Sequence, residues 1–159
     1  MHILQRRKKQ GFTLSELMAV VVILAILAAL GLGSYRSIME KTIFNEGLSV
    51  GHTIAAAVDE YYYEYHKKPT SLATLPLDLK GVTLSTDGGE NKHFTIRWPL
   101  YGEKIVLVSK SYPYQLWVYI ESFDKSKSSD KCVGTIAEGK EFCQSLGYIT
   151  CSGFMCTKQ

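Results

Sequence analysis

Two groups of residues in this 159-residue chain have types and spacing suited to chemistry. The first is Gly11-Phe12-Thr13-Leu14-Ser15-Glu16, where one carboxylate stands at the head of an apolar run that continues from Leu17 to Leu32. Even on the gentler insertion scales, a carboxylate at bilayer depth costs about 2.5–3.5 kcal/mol, so Glu16 calls for a partner. The second group is Cys132, Cys143, Cys151 and Cys156, all near the C-terminus. An even number of cysteines in a loop-rich tail reads as two disulfides in an oxidising compartment, with three connectivities open. A four-thiolate zinc site would need paired Cys-x2–4-Cys spacing, which only Cys151 and Cys156 meet.

No other constellation suggests catalysis. The chain lacks Gly-Lys-Ser/Thr, His-Glu-x-x-His and Gly-x-Ser-x-Gly signatures. His93 has no free thiol to work with if the cysteines pair. Asp87, Glu90, Asp124 and Asp130 do not follow the spacing of an EF-hand loop. The sequence therefore predicts no enzyme, no metal and no cofactor. The formal charge of +3 is a local matter, because Arg6, Arg7, Lys8 and Lys9 lie in an acid-free leader. Without them 14 Lys plus Arg face 15 Asp plus Glu, a balance of −1 that does not indicate a nucleic-acid partner. With 46% apolar and 21% charged residues, the body has the makings of a folded core.

The elements that must position these residues begin with one long helix, expected over about 13–66. It is apolar all round in its first half and amphipathic in its second. Phe44, Leu48, Gly51, Ala55, Val58, Tyr62 and Tyr65 recur at alternating steps of four and three and form its core-facing stripe. Arg36, Glu40, Lys41, Asn45, Asp59 and Glu60 supply the other side. In this reading Tyr62 and Tyr65 face the core, Tyr61 and Tyr63 flank it, and His52 and His66 lie on opposite sides. Gly47 and Gly51 weaken the helix locally. Lys67-Lys68-Pro69 ends it, and a connector over 67–81 can tuck in Leu72, Leu75, Leu77 and Leu79.

Four strands are expected, at 82–85, 93–98, 104–109 and 114–120. They alternate through Phe94, Ile96 and Trp98, through Ile105 and Leu107, and through Leu116, Val118 and Ile120. Asp87-Gly88-Gly89 and Tyr101-Gly102-Glu103 read as turns, so the strands make an antiparallel meander over 82–120. A polar loop over 122–131 leads to a short helix over 136–146 with Gly147 at its C-cap. The fold class is α+β: a long helix packed on a four-stranded antiparallel sheet, with a disulfide-bounded tail over 121–159.

The N-terminus has the charged and apolar regions of an export signal. A disposable signal has no use for Glu16, however, and 22 residues from Phe12 to Gly33 make about 33 Å of helix, enough to span a bilayer. The four positive charges hold the leader in the cytoplasm, so the body faces outward.

The boundary Gly11-Phe12-Thr13-Leu14-Ser15-Glu16 and the helix Leu17-Met18-Ala19-Val20-Val21 that follows resemble the type IV prepilin signature, class IVa-like. The resemblance implies that residues 1–11 are a leader removed between Gly11 and Phe12 by a prepilin peptidase, which also N-methylates Phe12. It implies a pilin fold, with 12–33 as membrane anchor and filament core and 34–159 as the head. The new α-amine of Phe12 would pair with Glu16 of a neighbouring subunit, so that Phe12, Thr13 and Glu16 form the assembly site. A paired buried charge is far less costly than an orphan one.

The implied partners are further copies of the chain, the peptidase and the inner-membrane assembly machinery. The chain would be anchored in the inner membrane and then enter an extracellular pilus supporting adhesion, twitching motility or DNA uptake. A pseudopilin of a type II secretion system, or a minor pilin, is the alternative. The four-cysteine tail leans toward a pilin. One departure is Gly33, where many pilins have proline. It keeps a backbone N–H and implies milder melting of the helix there. The Cys-x10-Cys stretch ending in Cys143-Gln144-Ser145-Leu146-Gly147 resembles, more weakly, the exposed cysteine-bearing region of some bacterial pilins.

Overall fold

The computed structural model describes residues 12–98, 103–123 and 129–158. Gly11 lies outside them, as do Tyr101 and Gly102 of the turn expected at Tyr101-Gly102-Glu103. The chain divides into two units, Met1–Met39 and Glu40–Gln159.

In the first unit, helix α1 (Leu14–Tyr65 in full) begins at Leu14 and carries through Gly31 and Gly33 as helix. Its side chains over 14–30 are exposed throughout, and from Leu17 to Leu30 they are apolar on every side. Among the described residues no single helix is long and apolar enough to cross a membrane. Leu14–Leu30 and Tyr35–Tyr65 taken together meet the requirement by length and composition.

In the second unit, the rest of α1 lies on an antiparallel sheet of eight strands. These are β1 (Thr83–Ser85), β2 (Gly88–Glu90), β3 (Phe94–Arg97), β4 (Lys104–Ser109), β5 (Tyr114–Tyr119), β6 (Lys131–Gly134), β7 (Thr150–Ser152) and β8 (Met155–Thr157). Their order is β1-β2-β3-β4-β5-β6-β8-β7. The α+β class and the long helix on an antiparallel sheet are as expected, but the strand number is not four. Asp87-Gly88-Gly89 is not a turn, since Ser85 pairs with Gly88 and only Thr86 and Asp87 turn the chain. Gly88 and Gly89 enter β2 because their bare backbones let the carbonyls of Ile96 and Thr83 approach where a Cβ would stand. The tail is more regular than its composition suggests, adding β6, β8 and β7 to the sheet beyond β5.

The period-two pattern of the strands sets the core. Phe94, Ile96, Ile105, Leu107, Tyr114, Leu116, Val118 and Ile120 point inward and are buried. Against them α1 presents Phe44, Gly51, Ala55 and Val58 of the expected stripe, with Ile43, Gly47 and Ile54 added. The helix comes very close. A Cβ on Gly47 would stand 2.6 Å from Phe94 Cζ, and one on Gly51 would stand 2.7 Å from Val118 Cγ2. Both glycines thus serve close packing at the expense of helix propensity.

Tyr65 departs from the expectation. It is 53% exposed and lies tilted against the half-buried Tyr61, ring centroids 4.6 Å apart, instead of facing the core. Tyr62 is half-buried and meets the edge of Phe123 at 4.9 Å. The connector behaves as expected: Leu72 and Leu75 are buried, while Leu77 and Leu79 pack partly against the core.

Helix α2 (Ala137–Ser145) closes one end of the core with Phe142, which stacks on Tyr114 at 4.9 Å and meets Phe44 at 6.2 Å. It ends in a Schellman motif. Gly147, at φ 89°, donates to the carbonyl of Gln144, and Tyr148 donates to that of Cys143. Tyr148 turns back under the helix and is buried, with its ring 5.8 Å from Phe44.

Candidate assembly site

The start of α1 is built by a local hydrogen-bond exchange. Thr13 precedes the first helical residue, and Glu16 sits three positions on. The Thr13 amide donates to Glu16 Oε2 at 2.8 Å, and the Thr13 hydroxyl donates to the same oxygen at 2.7 Å. The Glu16 amide approaches Thr13 Oγ1 at 3.4 Å in return. This is a capping box, in which two otherwise orphaned amides at a helix start find side-chain oxygens. The positive end of the helix dipole also favours a carboxylate here. The signature Thr-x-x-Glu before an apolar run is readable from sequence, and it gives Glu16 a partner within its own chain.

Phe12 is 86% exposed beside this box, and Leu17 after it is 62% exposed. The structure therefore brings Thr13 and Glu16 together and places Phe12 next to them. Glu16 has a second oxygen, and both box residues lie beyond the Gly11–Phe12 bond. Cleavage there would leave the box whole.

At the other end of the chain the cysteines pair as Cys132–Cys143 and Cys151–Cys156. The first bridge fastens β6 to α2, with both residues buried. The second joins directly opposed residues of the β7–β8 hairpin. Among the described residues no group of His, Cys, Asp and Glu is arranged to hold a metal ion. Of the acids weighed for calcium, Glu90 accepts from Lys110 Nζ at 3.3 Å, Asp130 binds His52 Nε2 at 2.7 Å, and Asp124 lies outside the described residues. The His52–Asp130 link, 78 positions apart in sequence, could not be foreseen from helix spacing.

The second unit carries two contrasting surfaces. Asp59, Glu60, Glu64, Glu121 and Asp130 line a groove of about 1420 Å³ beside α1, together with His52 and Tyr119. On the outer face of the sheet Lys104 lies 3.4 Å over the Trp117 ring, and Lys131 lies 4.9 Å over Tyr119. Burial lowers the affinity of the Lys104 amine for its proton, and the charge of Lys131 lowers it further.

Residues 6–32 match the family described as the prokaryotic N-terminal methylation motif. The chain is 36% identical over 78 residues to the type IV major pilin protein PilE1 of Neisseria gonorrhoeae, covering 46% of this chain and 47% of that protein. It is 34% identical over 79 residues to a fimbrial protein of Neisseria meningitidis serogroup A, covering 50% and 44%. It is also 40% identical over 80 residues to the type II secretion system core protein G of Pseudomonas aeruginosa, covering 50% and 56%. The chain spans about half the length of these relatives. No solved structure matches it. The chain thus carries the prokaryotic N-terminal methylation motif at its start and, over about half its length, is similar to type IV major pilins, with a long helix on an antiparallel sheet and a disulfide-bearing tail.

Proposed function

We propose that this chain is a structural subunit of a type IV pilus filament. The observation that carries the reading is the apolar half of α1, whose side chains over 17–30 are apolar and exposed on all sides. Burying a single Leu, Val or Ile is worth roughly 1.5–3 kcal/mol, so such a surface needs lipid or other copies of itself. Residues 1–11 are the leader, residues 12–33 anchor the precursor in the inner membrane and then form the filament core, and residues 34–159 are the outward head.

A prepilin peptidase cuts between Gly11 and Phe12 and methylates the new Phe12 amine. That amine pairs with the free oxygen of Glu16 on a neighbouring subunit, while the oxygen held by Thr13 keeps the carboxylate aimed. The chain has no catalytic role in this scheme, and the finished filament is extracellular.

The test is N-terminal sequencing of the main band of sheared surface filaments. A sequence opening on N-methyl-phenylalanine at Phe12 supports the reading, and one opening after Gly33 sinks it. The likeness to a type II secretion core protein favours a second reading, a pseudopilin. Deleting the gene separates the two: lost surface filaments mark a pilin, and retained filaments with blocked protein secretion mark a pseudopilin.

A further inference from the structure

The outer face of the sheet is strongly patterned where β4, β5 and β6 meet. Lys104 pairs across the ladder with Tyr119, and Trp117 pairs with Lys131, so all four side chains lie on one side of the ladder, with Tyr119 reaching the rim of the groove beside α1. The intervening Val118 and Leu116 point into the core. Each amine crosses diagonally onto a ring of the central strand, Lys104 onto Trp117 and Lys131 onto Tyr119. Among the described residues neither lysine forms an ion pair. Two cations and two large rings thus stand together on a half-exposed face, where the Glu103 carboxylate acts on Lys104 from beside it without forming an ion pair.

The groove beside α1 carries the opposite charge. Asp59, Glu60, Glu64 and Glu121 line it, and the only cationic candidate among its described lining residues is His52, already bound to Asp130. From this complementarity we infer that the Lys104–Lys131 face of one head docks on the Asp59–Glu64 groove of a second copy. The inference rests on the filament reading. Complementary potentials steer encounter and fix register, while like charges brought together cost several kcal/mol. A contact between two different patches of the same chain is heterologous, so it repeats from copy to copy instead of closing on itself.

The experiment is a charge swap in the full chain, expressed in cells that assemble filaments. The readouts are sheared filament yield and total cellular amount of the protein. Lys104→Glu with Lys131→Glu, and separately Glu60→Lys with Glu64→Lys, should each cut the yield roughly tenfold or more. The quadruple variant restores attraction with both signs exchanged, and its yield should recover to within a few-fold of the parent.

Parental yield from either double variant overturns the inference. So does a quadruple variant that accumulates normally yet stays defective, the result expected if the lysines meet a different anion. If a Glu variant fails to accumulate, Lys104→Gln with Lys131→Gln replaces it, and undiminished yield from that pair also overturns the inference. Absence of filaments from the parent chain instead defeats the filament reading itself.

Discussion

Glu16 and Thr13 hold each other: one carboxylate oxygen takes both the amide and the hydroxyl of Thr13. The residue that looks most costly in the apolar segment is therefore also part of the device that starts the helix. Its capping role and the proposed intersubunit charge pairing can be separated. Gln fits the same position of a capping box but carries no charge, whereas Ala loses both functions. Glu16→Gln and Glu16→Ala should be about equally poor in sheared filaments, with both proteins processed and held in the membrane. Near-normal yield from Gln alone would make the residue's importance a matter of capping.

The complementary variant acts on Thr13. Removing an N-cap hydroxyl typically costs ~0.5–2 kcal/mol of helix stability, and Thr13→Ala leaves Glu16 charged. Its filament yield should fall less than that of Glu16→Ala. Amide exchange in the first turn of α1 should rise, measured on the full chain in detergent.

At Gly51 propensity and packing pull in opposite directions. Replacing a mid-helix glycine with alanine gains ~1 kcal/mol of propensity. The new Cβ would stand 2.7 Å from Val118 Cγ2 and 2.9 Å from Leu107 Cδ1, both buried in the sheet. Overpacking of that kind costs ~1–3 kcal/mol, so Gly51→Ala should lower the thermal midpoint in spite of the helix gain. A raised midpoint would mean that helix and sheet can part without penalty.

Those glycines also show where the sequence could and could not be read. The spacing from Phe44 to Val58 reveals the buried stripe because period and burial coincide over those turns. Gly47 and Gly51 read as weak points of a helix, since a missing side chain carries no sign of the Phe94 and Val118 rotamers that fill its place. Tyr65 keeps the spacing but is exposed at the end of α1, where it rests on Tyr61. The hydrophobic alternation of β3, β4 and β5 is strong enough to read directly. It fails for β2, β6, β7 and β8, whose three- or four-residue strands carry Gly, Ser, Thr and Cys and are held by neighbours instead of by their own pattern. At Thr13 and Glu16 the three-residue spacing is a local sign of the capping box, whereas the prepilin resemblance places the partner of Glu16 on a neighbouring subunit. The His52–Asp130 link and the Lys104–Trp117 contact depend on register across the fold and leave no local trace.

The two disulfides should differ in worth. Cys132–Cys143 joins β6 to α2 across 11 positions, and Cys143 is also the residue whose carbonyl accepts from Tyr148 in the helix cap. Cys151–Cys156 spans five positions within one hairpin at the sheet edge. Loss of a native disulfide typically costs ~2–5 kcal/mol, and loop-closure entropy assigns less to the shorter loop. Cys132→Ser or Cys143→Ser should therefore reduce thermal midpoint and cellular abundance more than Cys151→Ser or Cys156→Ser. Equal losses would show that the edge hairpin is as integral to the head as α2.

Alkaline pH should loosen the aromatic centre of the head. Burial pushes the Tyr148 hydroxyl up to about 12 from an ordinary value of 10, with the charge of Asp130 adding to the shift, and burial raises Tyr114 as well. The folded state disfavours tyrosinate at these positions while the unfolded chain ionises near 10. A folded-state pKa raised above the unfolded one contributes stability that is fully present below pH 10 and is lost as pH climbs toward 12. Thermal midpoints should fall steadily across that window, and Tyr148→Phe, which has no proton to lose there, should show a shallower fall. Identical slopes for the two proteins would mean that Tyr148 ionises as an ordinary surface tyrosine and that the packing of Tyr148 beneath α2 opens before its proton leaves.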